Sequence, residues 1–339
     1  MHSLFSDVVL LLNGKRVERG DALYPFRSYV TTTFRYLPEA LKQQGFAFGY
    51  TKDDYTLMDD VTNRGFITRK EWTKAGATKL FMGKLDLDLF KQERLMIPGV
   101  DVTVRLEKAK HSFAILNYDK ELKPKVVITE AKLSFKTVQV NASVFDLHMA
   151  GLQKEIPATY PINRIVLETM SAKEKDFYIS KEFLFHGTVP KYLLVSMINS
   201  VSFYGDFSKN PYNFQNYKIK YLHLTKDGKS VSYEPFEPDF SNKNYLREYL
   251  SIFQSNGILG SNAQLPISFD EYQKGYTHFQ FNLSNNCQGV NVQPEERANL
   301  KLSIKFGEPL PESIIVLLYA VFDSNIYIHG SGVIVTDYT

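Results

Sequence analysis

Apolar and polar residues alternate along much of this chain. Val100, Val102, Val104 and Leu106 are interleaved with Asp101, Thr103, Arg105 and Glu107, and Leu300, Leu302, Ile304 and Phe306 with Lys301, Ser303 and Lys305. A period of two places apolar side chains on one face of a pleated strand and polar ones on the other, which predicts half-buried antiparallel strands. Ala131, Leu133 and Phe135, set against Glu130, Lys132, Ser134 and Lys136, predict a further strand of the same kind, with the phase flipping at Val138 and Val140. The apolar runs at 192–198, 314–319 and 332–335 are short and bounded by Pro or Gly, and read as strands buried on both faces.

Turn signals separate these runs. Asn13-Gly14 and Asp227-Gly228 each stand between two strand-like stretches and predict two-residue hairpins with left-handed backbone. Helical periodicity is scarce. It is confined to 26–36, stopped before Pro38, to a short stretch around Val140, Val144 and Leu147 capped by Asn141 or Ser143, and to 245–253, ended by Asn256-Gly257. Residues 45–84 are polar and weakly periodic, and read as a long excursion from the first unit. The polar stretch 117–124, ending in Pro124, reads as a boundary between residues 1–124 and 125–339. Many short strands with Gly and Pro turns predict an all-β fold of two antiparallel sandwiches with few short helices.

Composition sharpens that picture. At 339 residues the chain is long enough for two domains, and its 25 Phe and 21 Tyr against a single Trp favour pleated, half-buried surfaces. The 40 basic and 37 acidic residues are scattered, so no nucleic-acid tail is implied and no specific nucleic-acid partner is expected. Cys287 is the only cysteine, which excludes an intramolecular disulfide and a Cys-rich zinc site; it reads as a small, partly buried apolar residue, and fits folding inside the cell. No secretory signal is apparent, and no stretch approaches the ~20 apolar residues of a membrane span. The sequons at Asn141 and Asn282 are therefore expected to be fortuitous.

Residue patterns that carry chemistry are few. The histidines at 2, 111, 148, 186, 223, 278 and 329 have no metal-ligand spacing, and Ser331 between glycines lacks the nucleophile-elbow pattern. Asp86 and Asp88 could form a hydrolase pair, but fit equally the polar face of an amphipathic strand; Asp53-Asp54 and Asp59-Asp60 read as solvated loop acids. Residues 206–214 mix oxygen ligands with aromatics but lack the regularity of a calcium loop. They read as a loop turning at Asn210-Pro211, with Tyr204, Phe207, Tyr212 and Phe214 packed inward. Tyr217 to Tyr221 reads as a sheet face or a subunit contact. No catalytic, cofactor-binding or metal residue is assigned.

Several stretches, in order, resemble the major capsid proteins of Polinton/Maverick elements and adintovirus-like viruses, relatives of the adenovirus hexon lineage. They are Leu11-Leu-Asn-Gly-Lys-Arg-Val17 with Tyr24-Pro-Phe-Arg-Ser-Tyr29, then residues 95–106, 158–161, 184–192 and 205–214, then 275–281 with 300–306. The resemblance spans nearly the whole chain through an ordered set of stretches rather than one motif. It implies a double jelly roll, one unit over 1–124 and the other over 125–339. Such proteins usually carry more strands before the Asn-Gly hairpin, so the first jelly roll is expected to be incomplete and less stable. A truncated gene model, a domesticated endogenous viral element and a true variant all fit that departure.

The function so implied is structural, not enzymatic, and needs no cofactor. Homotrimers would form pseudo-hexagonal capsomers that tile an icosahedral shell through lateral contacts, with penton and minor capsid proteins as further partners. The location implied is the virion capsid, after synthesis in the host cell interior. The competing expectations are a carbohydrate-binding, lectin-like sandwich and, more remotely, a sandwich glycosidase using Asp86 and Asp88.

Overall fold

The computed structural model describes residues 1–18, 20–284 and 296–338; Cys287 lies outside these described residues. The strands are β1 (Phe5–Leu12), β2 (Lys15–Arg16), β3 (Val102–Lys108), β4 (Ala158–Ala172), β5 (Tyr178–Lys181), β6 (Tyr192–Asn199), β7 (Ile219–Lys226), β8 (Lys229–Ser230), β9 (His278–Asn282), β10 (Leu300–Phe306), β11 (Ile314–Ile328) and β12 (Ile334–Thr336). The helices are α1 (Tyr24–Arg35), α2 (Pro38–Gln44), α3 (Arg64–Trp72), α4 (His111–Ala114), α5 (Ala142–Gln153), α6 (Ser200–Tyr204), α7 (Leu246–Ser255) and α8 (Phe269–Tyr272). Every ladder between these strands is antiparallel.

Among the described residues these strands form three sheets. One is ordered β2-β1-β3, one β5-β10-β7-β8, and one β12-β11-β6-β9 with β4 also paired to β11. Both hairpin signals are realised. Leu12 pairs with Lys15 across Asn13 (φ 48°) and Gly14 (φ 78°), and Lys226 pairs with Lys229 across Asp227 (φ 48°) and Gly228 (φ 76°). Backbone of that hand is open to glycine and tolerated by Asn and Asp, which is why those residues stand there.

β11 runs through all three apolar clusters. Its first nine residues are buried on both faces. Ile314, Val316, Leu318, Ala320 and Phe322 enter the core shared with β10 and β7, while Ile315, Leu317, Tyr319 and Val321 pack with Phe26 and Val30 of α1. Further along, Ile326 and Ile328 join Val8, Leu10 and Leu12 of β1. β4 pairs with β11 over the full length, from Ile314 opposite Ala172 to Ile328 opposite Ala158. At ~3.4 Å per residue this ribbon is long enough to carry a sandwich at one end and the N-terminal sheet at the other.

One sequence expectation fails outright. Residues 130–136 form no strand, although their alternation predicts one, and all of 131–140 is exposed. Alternation stabilises a strand only when a partner supplies ladder hydrogen bonds and an apolar face to cover, and neither is in place here.

Candidate interaction surface

The residues singled out for chemistry resolve first. The segment before the 3₁₀ turn Leu89–Lys91 is irregular rather than a strand, and both phases point inward: Leu87 and Leu89 enter the apolar core of β1, while Asp86 and Asp88 are only 7% and 2% exposed. Arg27 of α1 reaches them. Its Nη2 donates to Asp88 Oδ1 at 2.7 Å, its Nη1 to Glu18 Oε2 at 3.0 Å, and its Nε lies 3.6 Å from Asp86 Oδ2. Lys91 pairs with Asp86, the Asp88 amide donates to Glu18, and the Ile165 amide of β4 donates to Asp88 Oδ2 at 3.0 Å.

Two cations therefore face three carboxylates in a region closed to water. Burial opposes ionisation of Asp86, but Arg27 and Lys91 outweigh it and hold the carboxyl below its ordinary value. For Asp88 burial wins over Arg27, and the carboxyl is pushed up to about 7. Burial likewise lowers Lys91, against the pull of Asp86. A charge cluster of this kind ties the irregular segment to α1 and β4 and leaves Asp86 and Asp88 unavailable as a hydrolase pair. It corrects the reading of the two acids as the polar face of an amphipathic strand.

The acid pairs and the 206–214 loop come together, which the sequence did not indicate. Asp54 and Asp60 are local turn acids that accept from Thr56 and Thr62. Asp53 and Asp59 instead reach across the molecule: Asn210 donates from its amide to Asp59 and from Nδ2 to Asp53, and Asn213 Nδ2 donates to Asp59 at 2.9 Å. Arg69 holds Asp53 at 2.8 Å. The stretch 45–84 is thus latched to the loop 206–214. Tyr212 stacks on Tyr29 of α1 at 4.2 Å and Phe214 is buried, as expected, whereas Tyr204 is exposed rather than packed inward.

Two of the histidines have clear structural partners. His278 is fully buried against Ser196 Oγ at 2.7 Å, and His223 contacts Tyr221 and Ser230. Among the described residues no group of His, Cys, Asp and Glu could hold a metal ion, and no helix is long and apolar enough to cross a membrane. Two surface concavities, one beside Glu234, Arg247 and Glu248 and the other beside Asp59, Tyr217 and Glu312, include Tyr217 as their single aromatic lining residue.

What remains is an uncovered apolar surface. β3 is an edge strand whose Val102 is 47% exposed and Leu106 40%. From Val127 onward the chain presents Ile128, Leu133 and Phe135 to solvent, Phe135 at 79% exposure. α5 follows, N-capped by Asn141, whose side chain accepts from the Ser143 amide. It contains Val144, Phe145, Leu147 and Met149 yet buries none of its residues. Its C-terminal end meets the rest of the molecule where Leu152 closes on Gly330. Isolated exposed apolar residues are ordinary, but this many in one stretch of the chain make it the candidate contact surface.

Comparison with known proteins bears on the fold. No family model matches the chain. An uncharacterized protein of Caenorhabditis elegans, F54H12.2, is 24% identical over 335 residues, covering 95% of this chain and 77% of its own length. Among solved structures, the PBCV-1 virus capsid aligns over 100% of this chain and 84% of its own, with a TM-score of 0.54 and 12% identity. PBCV-1 Vp54, fitted into a reconstruction of the virophage Sputnik, gives the same TM-score and coverage at 14% identity. The chain has an all-β, antiparallel sandwich fold with few short helices, of the jelly-roll kind found in those capsid proteins.

Proposed function

We propose that this chain is a structural capsid subunit: a double jelly-roll major capsid protein of the Polinton/Maverick type that associates with itself into trimeric, hexon-like capsomers. One unit comprises residues 1–124 and the other residues 125–339. The observation that carries this reading is the uncovered apolar surface of β3, residues 126–140 and α5 on a fold shared with a virus capsid protein. Burying a large apolar side chain contributes ~1.5–3 kcal/mol, so a surface of this extent favours association over exposure. Lateral contacts between capsomers, penton and minor capsid partners, and residence in the virion shell follow from the same reading.

The test is the mass of the purified chain by light scattering at tens of micromolar, with negative-stain images. Trimers and larger tiled assemblies are expected. A chain that stays monomeric across that range overturns the proposal.

A further inference from the structure

The free edge of β3 and the unpaired segment beyond it carry matching patterns. Val8 pairs with Leu106, Leu10 with Val104 and Leu12 with Val102, so these β3 side chains share the core face of their sheet, and that face ends uncovered at the edge. Residues 130–136 have the alternation of a strand and no ladder. An antiparallel register with Leu133 opposite Leu106 and Phe135 opposite Val104 extends the apolar face by one strand. On the other face it sets Lys132 opposite Glu107, Ser134 opposite Arg105 and Lys136 opposite Thr103, with no like charges directly paired.

The chain's own β3 can be paired in that register only by breaking two hydrogen bonds at Val126. Val126 is tied beside the end of β3, its carbonyl accepting from Lys108 Nζ at 2.6 Å and its amide donating to His111 Nδ1 at 3.2 Å. Pairing Ala131 with Lys108 would carry Val126 about 17 Å past that end, five residues at ~3.4 Å each.

We propose that residues 130–136 of one copy add as an antiparallel strand to the free edge of β3 in a second copy. The inference rests on the self-association proposed above and names the element that performs it. Donor and acceptor are different surfaces, so the contact is heterologous and closes into a ring only at a fixed rotation, as a trimer requires.

The test uses the full chain with L106C and L133C introduced together, and with C287S removing the native thiol. Both substituted positions are solvent-exposed, so the fold should tolerate them. Under mild oxidation the expected result is covalent oligomers on a non-reducing gel, absent from each single-cysteine variant. An oligomer in solution without that cross-link, or a bond confined to one chain, overturns strand addition and leaves self-association standing. A monomer in solution overturns both. Independently, F135D should weaken association by about tenfold or more, and association at wild-type strength would overturn the proposed register.

Discussion

Removing Arg27 would strand Glu18, Asp86 and Asp88 in a region closed to water. Buried ion pairs are weak stabilisers against an apolar replacement, but removing one partner leaves uncompensated charge and costs ~3–5 kcal/mol. R27M should therefore lower the unfolding free energy in urea by about that amount. His278 offers a second test. Burial lowers its imidazole from 6.5 to about 3. Between those values the unfolded chain binds the proton and the folded chain does not, so the stability His278 contributes is complete above about pH 6.5 and is lost as pH falls. The slope approaches ~1.4 kcal/mol per pH unit, and unfolding curves of H278N should be shallower by about that much between about pH 6 and 4. The period-two pattern at 278–282 does not mark this residue, since a buried histidine on a strand looks in sequence like a polar outward position.

α5 is an element whose helical periodicity and Asn141 cap are legible in the sequence, yet none of whose residues is buried among the described residues. Replacing Phe145 with Ser and Leu147 with Asn should leave monomer stability within about 0.5 kcal/mol, because exposed side chains away from special features contribute little. The same double variant should weaken association measured by sedimentation. The 131–135 alternation is equally legible, and it misled about the isolated chain. The pattern encodes a readiness to pair, whereas pairing needs an edge within reach. Asp86 and Asp88 show the converse: their spacing fits a strand's polar face, but Arg27, far away in sequence, draws both inward.

Across the whole molecule, stability is expected to be uneven. The largest apolar cluster is built almost wholly from residues after 158, around β4, β6, β7, β10 and β11. The N-terminal sheet has three strands, one of them the two-residue β2 and another the bare-edged β3. Hydrogen exchange on the isolated chain should show lower opening free energies in β1 and β3 than in β6 and β11. Assembly should raise protection in β3 first. Equal protection in both regions would mean that the N-terminal sheet needs no further cover.

The class of the fold is legible in local patterns of residues. Alternation, two hairpin turns, scarce helical periodicity and the absence of metal-ligand spacing are local properties, and each was read from neighbouring residues. Tertiary structure alone decided what joins distant segments: the Arg27 cluster, the Asp53 and Asp59 latch onto Asn210 and Asn213, and the sharing of β11 between two apolar layers. It also decided which predicted strand stays unpaired. A local pattern fixes which side chains prefer to lie inward, but a ladder partner, a counter-ion or a covering layer comes from elsewhere in the chain, or from another copy of it.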